Sequence, residues 1–245
     1  MKYRDFSFSK LAENLAFDDI ILETAIYPGA DPLLWTWEPP ETGVVLGYGK
    51  SYAEECHPDR CLADGVPILR RISGGGTVLQ AKGMLNFSLF FPADHPDTNS
   101  ISKTTHHVMT RHRDLINTLL GTQTCSLQGT SDLALLSPTG TLLKCCGNAQ
   151  KRGRTGTLFH GSFLLKADLG AISRYLTLPK IQPDYRNQRS HADFLINLPL
   201  DAATLKVKLT KTWQAHSIFD IAPYLAQTLR LAQDKYGDPS WSQKV

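Results

Sequence analysis

A run of three glycines between two strand-like segments constrains the fold of this chain more than any other feature. The run RRISGGGTV (residues 70–78) follows the apolar segment 66–69 and precedes the alternating segment 84–91. Three adjacent glycines cost folding entropy, because each is freer in the unfolded chain than any other residue. That cost is reasonable where backbone passes close to a ligand, and the two arginines supply forked donors for a carboxylate or phosphate. We therefore predict a ligand-binding loop, with a flexible hairpin turn as the alternative.

The composition is that of an ordinary globular protein. Of the 245 residues, 42% are hydrophobic and 20% charged, and no repeat or linker is present, which predicts one domain over residues 1–245. No run approaches the roughly 20 apolar residues that cross a bilayer, and the N-terminus lacks the apolar core of a signal peptide. Five cysteines, an odd number, do not form a disulfide framework. We expect a cytoplasmic protein, and a net charge of +3 gives no reason to expect nucleic acid or a membrane as its partner.

Periodicity predicts helices at both ends of the chain and strands in its middle. Residues 8–26 are predicted to form a helix with Asp18 and Asp19 on its surface. Strands 33–37 and 44–46 are expected to pair with each other, and segments 66–72 and 77–80 to form the arms of the glycine loop. The other predicted elements are helices 52–64, 102–120, 201–214 and 221–236, strand 157–165, and a hairpin of 133–136 with 141–146 around a type I turn.

Alternation within the strands places several polar side chains. In segment 84–91, Asn86 and Ser88 lie opposite an apolar face, where a pocket could use them. His160 and Ser162 point the same way in the strand 157–165. In the hairpin, Leu142, Lys144 and Cys146 are expected to share one face. A lysine among apolar strand residues needs an anionic partner, unless it is simply exposed.

Three sequence blocks are distinctive: RRISGGGTV (70–78), LKCCGNAQ (143–150) and LFHGSFLL (158–165). Together they resemble the lipoate-protein ligase A family, whose members share the biotin/lipoate A/B ligase catalytic domain. RRISGGGTV, followed by Gly83, Leu85 and Asn86, is similar to the family's lipoyl-binding loop. LKCCGNAQ (143–150) is similar to its lysine motif, and LFHGSFLL (158–165) to its His-Gly-Ser/Thr strand. With NLAFDD (14–19), which looks like the opening helix, the blocks follow the family's order and cover most of residues 8–199.

The resemblance implies a fold and a reaction. The fold is α/β (α+β), a mixed, largely antiparallel sheet flanked by helices. The reaction is ATP-dependent adenylation of lipoate or octanoate with Mg²⁺, followed by transfer to a lysine of a lipoyl-carrier protein or domain. Better-known members have a C-terminal accessory domain, for which a chain ending at Val245 has no room. Either a separate small accessory subunit or the chain's own loops, 150–157 and 178–189, would then close the site.

The resemblance also assigns roles to residues. Lys144 is the expected catalytic residue, in contact with the lipoate carboxylate and the α-phosphate of ATP. Asp132 would hold magnesium or orient the lysine, unless it only caps a turn. His160 would shape the pocket rather than transfer protons, because the substrate carboxylate is already ionised at neutral pH. The residues expected to bind lipoate and its adenylate are Arg71, Ser73, Gly74, Gly75, Gly76, Thr77, Asn86, Gly147, Asn148, Ala149, His160 and Ser162.

The chain departs from the family pattern at one place and leaves two alternatives open. The family's glycine loop commonly runs into a His-Asp pair, where this chain has Gln80 and Ala81, so the polar contacts at that end of the pocket are not implied. Related octanoyl and lipoyl transferases use a cysteine later in the chain, and no cysteine follows Cys146, which favours ATP-driven ligation. A transferase acting from a carrier thioester and a non-catalytic lipoyl-binding module are the alternatives. Cys56, His57 and Cys61 lack a second ligand pair, so we expect no zinc site.

Overall fold

The computed structural model describes residues 1–244 and builds them around an eight-stranded sheet and a smaller three-stranded sheet. The strands in chain order are β1 (Lys2–Asp5), β2 (Leu33–Trp37), β3 (Gly43–Leu46), β4 (Ile68–Arg70), β5 (Val78–Gln80), β6 (Met84–Pro92), β7 (Cys125–Gln128), β8 (Asp132–Leu136), β9 (Leu142–Arg152), β10 (Gly156–Leu164) and β11 (Ser217–Ile218). The large sheet has the order β11-β1-β2-β6-β10-β9-β8-β7, and the small one β4-β3-β5. Only the pairs of β1 with β11 and with β2 are parallel in the large sheet. The predicted mixed, largely antiparallel sheet is confirmed.

Helices cover both faces of the large sheet. They are α1 (Leu11–Thr24), α2 (Tyr52–Glu55), α3 (Pro58–Ala63), α4 (Ile101–Leu120), α5 (Leu169–Tyr175), α6 (His191–Phe194), α7 (Ala202–Thr212), α8 (Ala222–Leu231) and α9 (Pro239–Gln243). The predicted helix 52–64 is two helices, because Pro58 begins a new one at a position that suits its missing N–H. No helix within residues 1–244 combines the length and the apolar character that crossing a membrane requires.

The alternation of β6 divides the core into two layers. Leu85, Phe87, Leu89 and Phe91 pack in one hydrophobic cluster with side chains of α4 and α7. Phe90 packs in another, with α1 and the aromatic residues of β2. The predicted two faces of this strand are therefore confirmed, and the face that carries Asn86 and Ser88 is the one turned toward α1.

The predicted pairing of strands 33–37 and 44–46 is wrong. Both edges of β2 are already occupied, one by β1 and the other by β6. The chain after Trp37 crosses instead to the small sheet, where β3 is the central strand. β4 and β5 each pair with β3 and not with each other, so the arms of the glycine loop are held apart by a third strand.

The expected loop 150–157 is the end of a hairpin. Residues 150–152 belong to β9 and residues 156–157 to β10, with a short turn between them. Arg152 fixes this end further, because its guanidinium donates to the carbonyl of Thr98 at 2.7 Å. The segment therefore has little freedom to move over the pocket.

A buried histidine makes the stability of the fold sensitive to acid. His112 of α4 is fully buried, accepts a hydrogen bond from the indole of Trp213 at 3.0 Å, and packs against the rings of Phe87 and Phe163. Burial lowers its pKa to about 3. As the pH falls, the histidine of the unfolded chain, with a pKa near 6.5, binds a proton before His112 of the folded protein does. The free energy of unfolding therefore decreases as the pH falls from about 6.5 toward 3.

We expect His112 to lower the free energy of unfolding by roughly 1.4 kcal/mol per pH unit across this window. Urea unfolding of the wild type and of His112→Phe, measured between pH 4 and 7, would show a steeper acid loss in the wild type. Equal slopes in the two proteins would contradict the assignment.

Candidate active site

A cavity of about 340 Å³ lies between the α1-facing side of the large sheet and the small sheet. Two rows of side chains cross the sheet on this side. In the first row, Trp37, Asn86, Ser162 and Gly147 are successive cross-strand partners on β2, β6, β10 and β9. In the second row the successive partners are Trp35, Ser88, His160 and Ala149. The predicted shared face of His160 and Ser162 is therefore present, and both line the cavity.

A β-bulge brings Lys144 into this cavity. The register of β8 against β9 shifts between Leu133, which pairs with Cys146, and Ala134, which pairs with Lys144. The extra residue, Cys145, reverses the alternation at this point. Lys144 and Gly147 consequently share the cavity face, while Cys146 packs in the core behind the sheet. The predicted common face for Lys144 and Cys146 is wrong for this reason.

The Lys144 ammonium is held by a carboxylate and fills the space beside a glycine. Its Nζ lies 2.8 Å from Oδ1 of Asp132, and the other oxygen of Asp132 accepts a hydrogen bond from the hydroxyl of Tyr185 at 2.9 Å. Burial and the nearby carboxylate raise the pKa of Tyr185, so it remains a donor. A Cβ on Gly147 would lie 3.0 Å from Nζ of Lys144. Asp132 therefore orients the lysine directly.

The arginine and serine of the glycine loop stabilise the loop itself. The Arg71 guanidinium donates to the carbonyls of Gly74 and Gly76 at 2.6 and 2.7 Å, and its Nε donates to Oγ of Ser73 at 2.9 Å. Burial lowers the pKa of Arg71 to about 10, which leaves it protonated at neutral pH. The hydroxyl of Ser73 lies 2.6 Å from Nε2 of His160. These contacts connect the loop to the large sheet.

His160 in turn is fixed by an acid of α1. Its Nδ1 lies 2.7 Å from Oδ2 of Asp18, which is buried. Asp19, also buried, pairs with Lys235 at 2.6 Å. The prediction that both aspartates lie on the surface is wrong. Helix α1 is buried along residues 14–22, so Asp18 and Asp19 must find partners inside the protein.

Arg70, the first arginine of the loop motif, joins three segments of backbone. It is fully buried and donates to the carbonyls of Gly47, Tyr48, Lys50, Trp241 and Ser242 at 2.6 to 3.1 Å. The indole of Trp241 donates back to the Arg70 carbonyl at 2.7 Å. Helix α9 is thereby attached to the base of the glycine loop.

Comparison with known proteins identifies the family of this chain. Residues 10–206 match the family described as lipoyl protein ligase A/B catalytic domain. The chain is a member of this family.

Solved structures have the same fold. A chain from an archaeal lipoylation system of Thermoplasma acidophilum, a bipartite lipoate protein ligase and its E2 lipoyl domain, is 22% identical, with a TM-score of 0.79 over 99% of this chain and 96% of its own. A putative lipoate protein ligase from T. acidophilum with bound lipoic acid is 20% identical, with a TM-score of 0.76 over 100% of both chains. A lipoate-protein ligase A bound with ATP is 22% identical, with a TM-score of 0.73 over 99% of both chains.

Most of the residues expected from the family motifs meet at the cavity. Those that line it are Arg71, Gly76, Thr77, Asn86, Asp132, Lys144, Gly147, Asn148, Ala149, His160 and Ser162. Ser73, Gly74 and Gly75 belong to the same glycine loop but do not line the cavity. The Asn148 side chain points away from the cavity, because its amide donates to the Ser131 carbonyl and to the sulfur of Met109 in the opposite core layer. The roles of all these residues in binding lipoate and its adenylate remain predictions.

Sequence reasoning missed three residues that position the expected ones. Asp18 holds His160, Tyr185 holds Asp132, and Gln80 contacts both Asn86 and Ser162. Asp18 could have been found from its place between the apolar residues of α1. Tyr185 and Gln80 gave no local signal in the sequence. Tyr185 contacts Asp132 across 53 residues, and Gln80 contacts Ser162 across 82.

The cysteines lie outside the cavity. All five are free and buried, and none of the described residues that line the cavity is a cysteine. Burial raises the pKa of the Cys146 thiol well above its usual range, and a hydrogen bond with Cys125, together with burial, raises the pKa of Cys145. A thiol held protonated is a poor nucleophile.

Replacing Cys145 and Cys146 together by alanine is expected to leave the turnover of folded protein within about threefold of wild type. Stability should fall by roughly 1–3 kcal/mol, because two buried sulfurs leave small cavities. Activity normalised to the folded fraction checks this. Complete loss of activity in a folded variant would instead support a mechanism through a cysteine thioester.

Proposed function

We propose that this chain is a lipoate-protein ligase that activates lipoate, or a similar medium-chain acid such as octanoate, with ATP. A carboxylate oxygen of the acid attacks the α-phosphorus of ATP, the bond to the β-phosphate breaks, and pyrophosphate leaves. The ε-amine of a lysine on a lipoyl-carrier domain then attacks the acyl carbon and displaces AMP. The observation that carries the proposal is the Lys144–Asp132 pair in a cavity to which no cysteine contributes among the described residues.

The apolar part of the cavity suits an acyl chain. Its wall includes the apolar side chains Leu15, Trp37, Val45, Leu79, Met84 and Leu164. Each methylene buried there would contribute roughly 0.8 kcal/mol. A volume of about 340 Å³ lies within the range of small-molecule sites, which is roughly 300–1,000 Å³. The carboxylate would then lie toward Lys144.

Lys144 would act mainly on the transition state. Negative charge increases on the α-phosphoryl oxygens as the carboxylate attacks, and a fixed ammonium stabilises that charge more than it stabilises the separate reactants. Asp132 holds the ammonium in place, so little reorganisation is needed when the reaction occurs. The neutral Tyr185 hydroxyl holds Asp132 in the same way.

The residues present fit a magnesium ion brought in with the nucleotide. Mg²⁺ commonly binds through one or two carboxylates together with substrate phosphates. Asp132 would be the protein ligand, since an ionised carboxylate has about four lone-pair sites and the contacts to Lys144 and Tyr185 occupy two. When bound, the ion would offset charge on the phosphate oxygens.

We further propose that residues 1–245 act as one catalytic unit. The segment 178–189 is the better candidate for closure, because Pro179, Ile181 and Pro183 line the cavity while Ile181 is 86% exposed. The acceptor would be a lipoyl-carrier domain. A separate accessory subunit is the alternative, which the same assay tests.

The test is to incubate the purified chain with lipoate, ATP, Mg²⁺ and an apo-carrier domain. Release of pyrophosphate together with a lipoyl mass gain on the carrier supports the proposal. Transfer only from an acyl-carrier thioester, without ATP, would make the chain a transferase. Tight lipoate binding without either reaction would make it a binding module. Activity that appears only after a second polypeptide is added would exclude self-sufficiency.

A further inference from the structure

We propose that Gln80 is a positioning residue of this site, whose amide holds Asn86 and Ser162 in the wall of the cavity that Lys144 also lines. Gln80 occupies the place where the family motif has a histidine, and none of the expected site residues includes it. The expected effect on the reaction rests on the proposed function, whereas the position of Gln80 rests on its hydrogen bonds.

The three side chains form a closed ring of hydrogen bonds. Nδ2 of Asn86 donates to Oε1 of Gln80 at 2.9 Å, and Nε2 of Gln80 donates to Oγ of Ser162 at 3.0 Å. The hydroxyl of Ser162 donates to Oδ1 of Asn86. Each member therefore donates once and accepts once, which fixes the orientation of both amides.

The ring joins the two sheets at the wall of the cavity. Gln80 belongs to β5 of the small sheet, whereas Asn86 and Ser162 are cross-strand partners in the large sheet. All three line the cavity, and the exposed fractions of Gln80 and Asn86 are only 7% and 3%. A ring in which both amides are buried and every member is paired is rigid, because an unpaired buried amide would be costly.

The ring also leaves two donors for a ligand. Each amide has two N–H groups, and within the described residues only one of them on Gln80 and one on Asn86 has a protein acceptor. Ser162 lies opposite Gly147, and Nζ of Lys144 lies 3.0 Å from the position a Gly147 Cβ would take. An anionic oxygen bound by Lys144 would thus be next to the free amide donors. The chemical class they suit is a carboxylate or phosphoryl oxygen.

A glutamine performs this role without adding charge. A histidine at this position could accept from Asn86 and donate to Ser162 only as the neutral ring, and it would have no N–H left for a ligand. Gln80 supplies both contacts and a further donor, and it does not titrate. This chain therefore has a neutral side chain where the family motif has an ionisable one.

The variants Gln80→Met and Gln80→Glu test the proposal. Methionine keeps the length and removes every hydrogen bond, whereas glutamate keeps an acceptor for Asn86 and removes the donors. Gln128→Glu is the matched control, a strand glutamine on the edge strand β7 whose amide contacts only Ser126. For lipoate adenylation we expect both Gln80 variants to lower kcat about 10- to 100-fold, with KM for lipoate and ATP within about threefold. The control should match the wild type.

A double-mutant cycle with Ser162→Ala separates positioning from a general loss of structure. If the ring acts as a unit, Gln80→Met combined with Ser162→Ala should lose little more kcat than either single variant. Additive losses, or a lower melting temperature with normal kcat in Gln80→Met and Gln80→Glu, would overturn the proposal. If the wild type transfers acyl groups only from a thioester, the proposed function is wrong. The same variants are then measured in that transfer, where unchanged kcat would overturn the role of Gln80.

Discussion

Replacing Lys144 by alanine is expected to slow adenylate formation by about 100- to 1,000-fold while the protein stays folded. The ammonium is placed by Asp132 at 2.8 Å and acts where charge develops in the transition state. Its side chain is 27% exposed, so its loss opens no large cavity, and Asp132 keeps its hydrogen bond to Tyr185. Single-turnover formation of lipoyl-AMP, followed at saturating lipoate and ATP, measures the effect.

Lys208→Ala provides the control for the lysine variant. Lys208 is an exposed lysine of α7, outside the cavity, and its removal should leave the rate unchanged. Near-normal adenylation by Lys144→Ala, with the melting temperature of the wild type, would remove this lysine from the centre of the mechanism.

Adding a single methyl group at Gly47 is expected to displace the glycine loop and lower activity by about 100-fold. A Cβ at this position would lie 2.1 Å from the carbonyl oxygen of Gly75, which is backbone and must move by more than an ångström. Gly75 itself has a φ of +85°, a conformation that other residues rarely adopt, so the loop cannot relax easily. Overpacking should also lower stability by roughly 1–3 kcal/mol.

Gly49→Ala is the matched variant, because it lies two residues away in the same turn and a Cβ there meets nothing within 4 Å. It should leave both the rate and the melting temperature within error of the wild type. Adenylation rates for the two variants, normalised to folded protein, give the comparison. Equal activity of Gly47→Ala and Gly49→Ala would show that the position of the loop does not control the reaction.

The sequence predicted the elements better than their partners. The alternation of β6 identified both of its faces, because side chains of a strand alternate whatever it pairs with. The strand partner of β2 was not predictable in the same way. Residues 33–37 and 43–46 are buried throughout and, apart from Thr36, apolar, so nothing in either segment indicates which edge is free. Both edges of β2 are taken by strands distant in sequence.

Residues of the candidate site that belong to a family motif were predicted from the sequence. Residues whose contacts depend on the tertiary fold were missed. Lys144 was identified, but its face was assigned wrongly because the bulge at Cys145 inserts one residue into the alternation. Gln80 contacts Ser162 across 82 residues, so this contact can be recognised only from the packing of the two sheets. Asp18 was misplaced because acids in helices are usually exposed, whereas α1 is buried along residues 14–22.

The most direct test of this account is lipoate-dependent exchange of labelled pyrophosphate into ATP, measured on the purified chain with Mg²⁺ and no carrier. The account predicts exchange that requires lipoate, is reduced about 100-fold or more by Lys144→Ala, and is unchanged by the double replacement of Cys145 and Cys146. Absence of exchange in the wild type, together with acyl transfer from a carrier thioester, would contradict it.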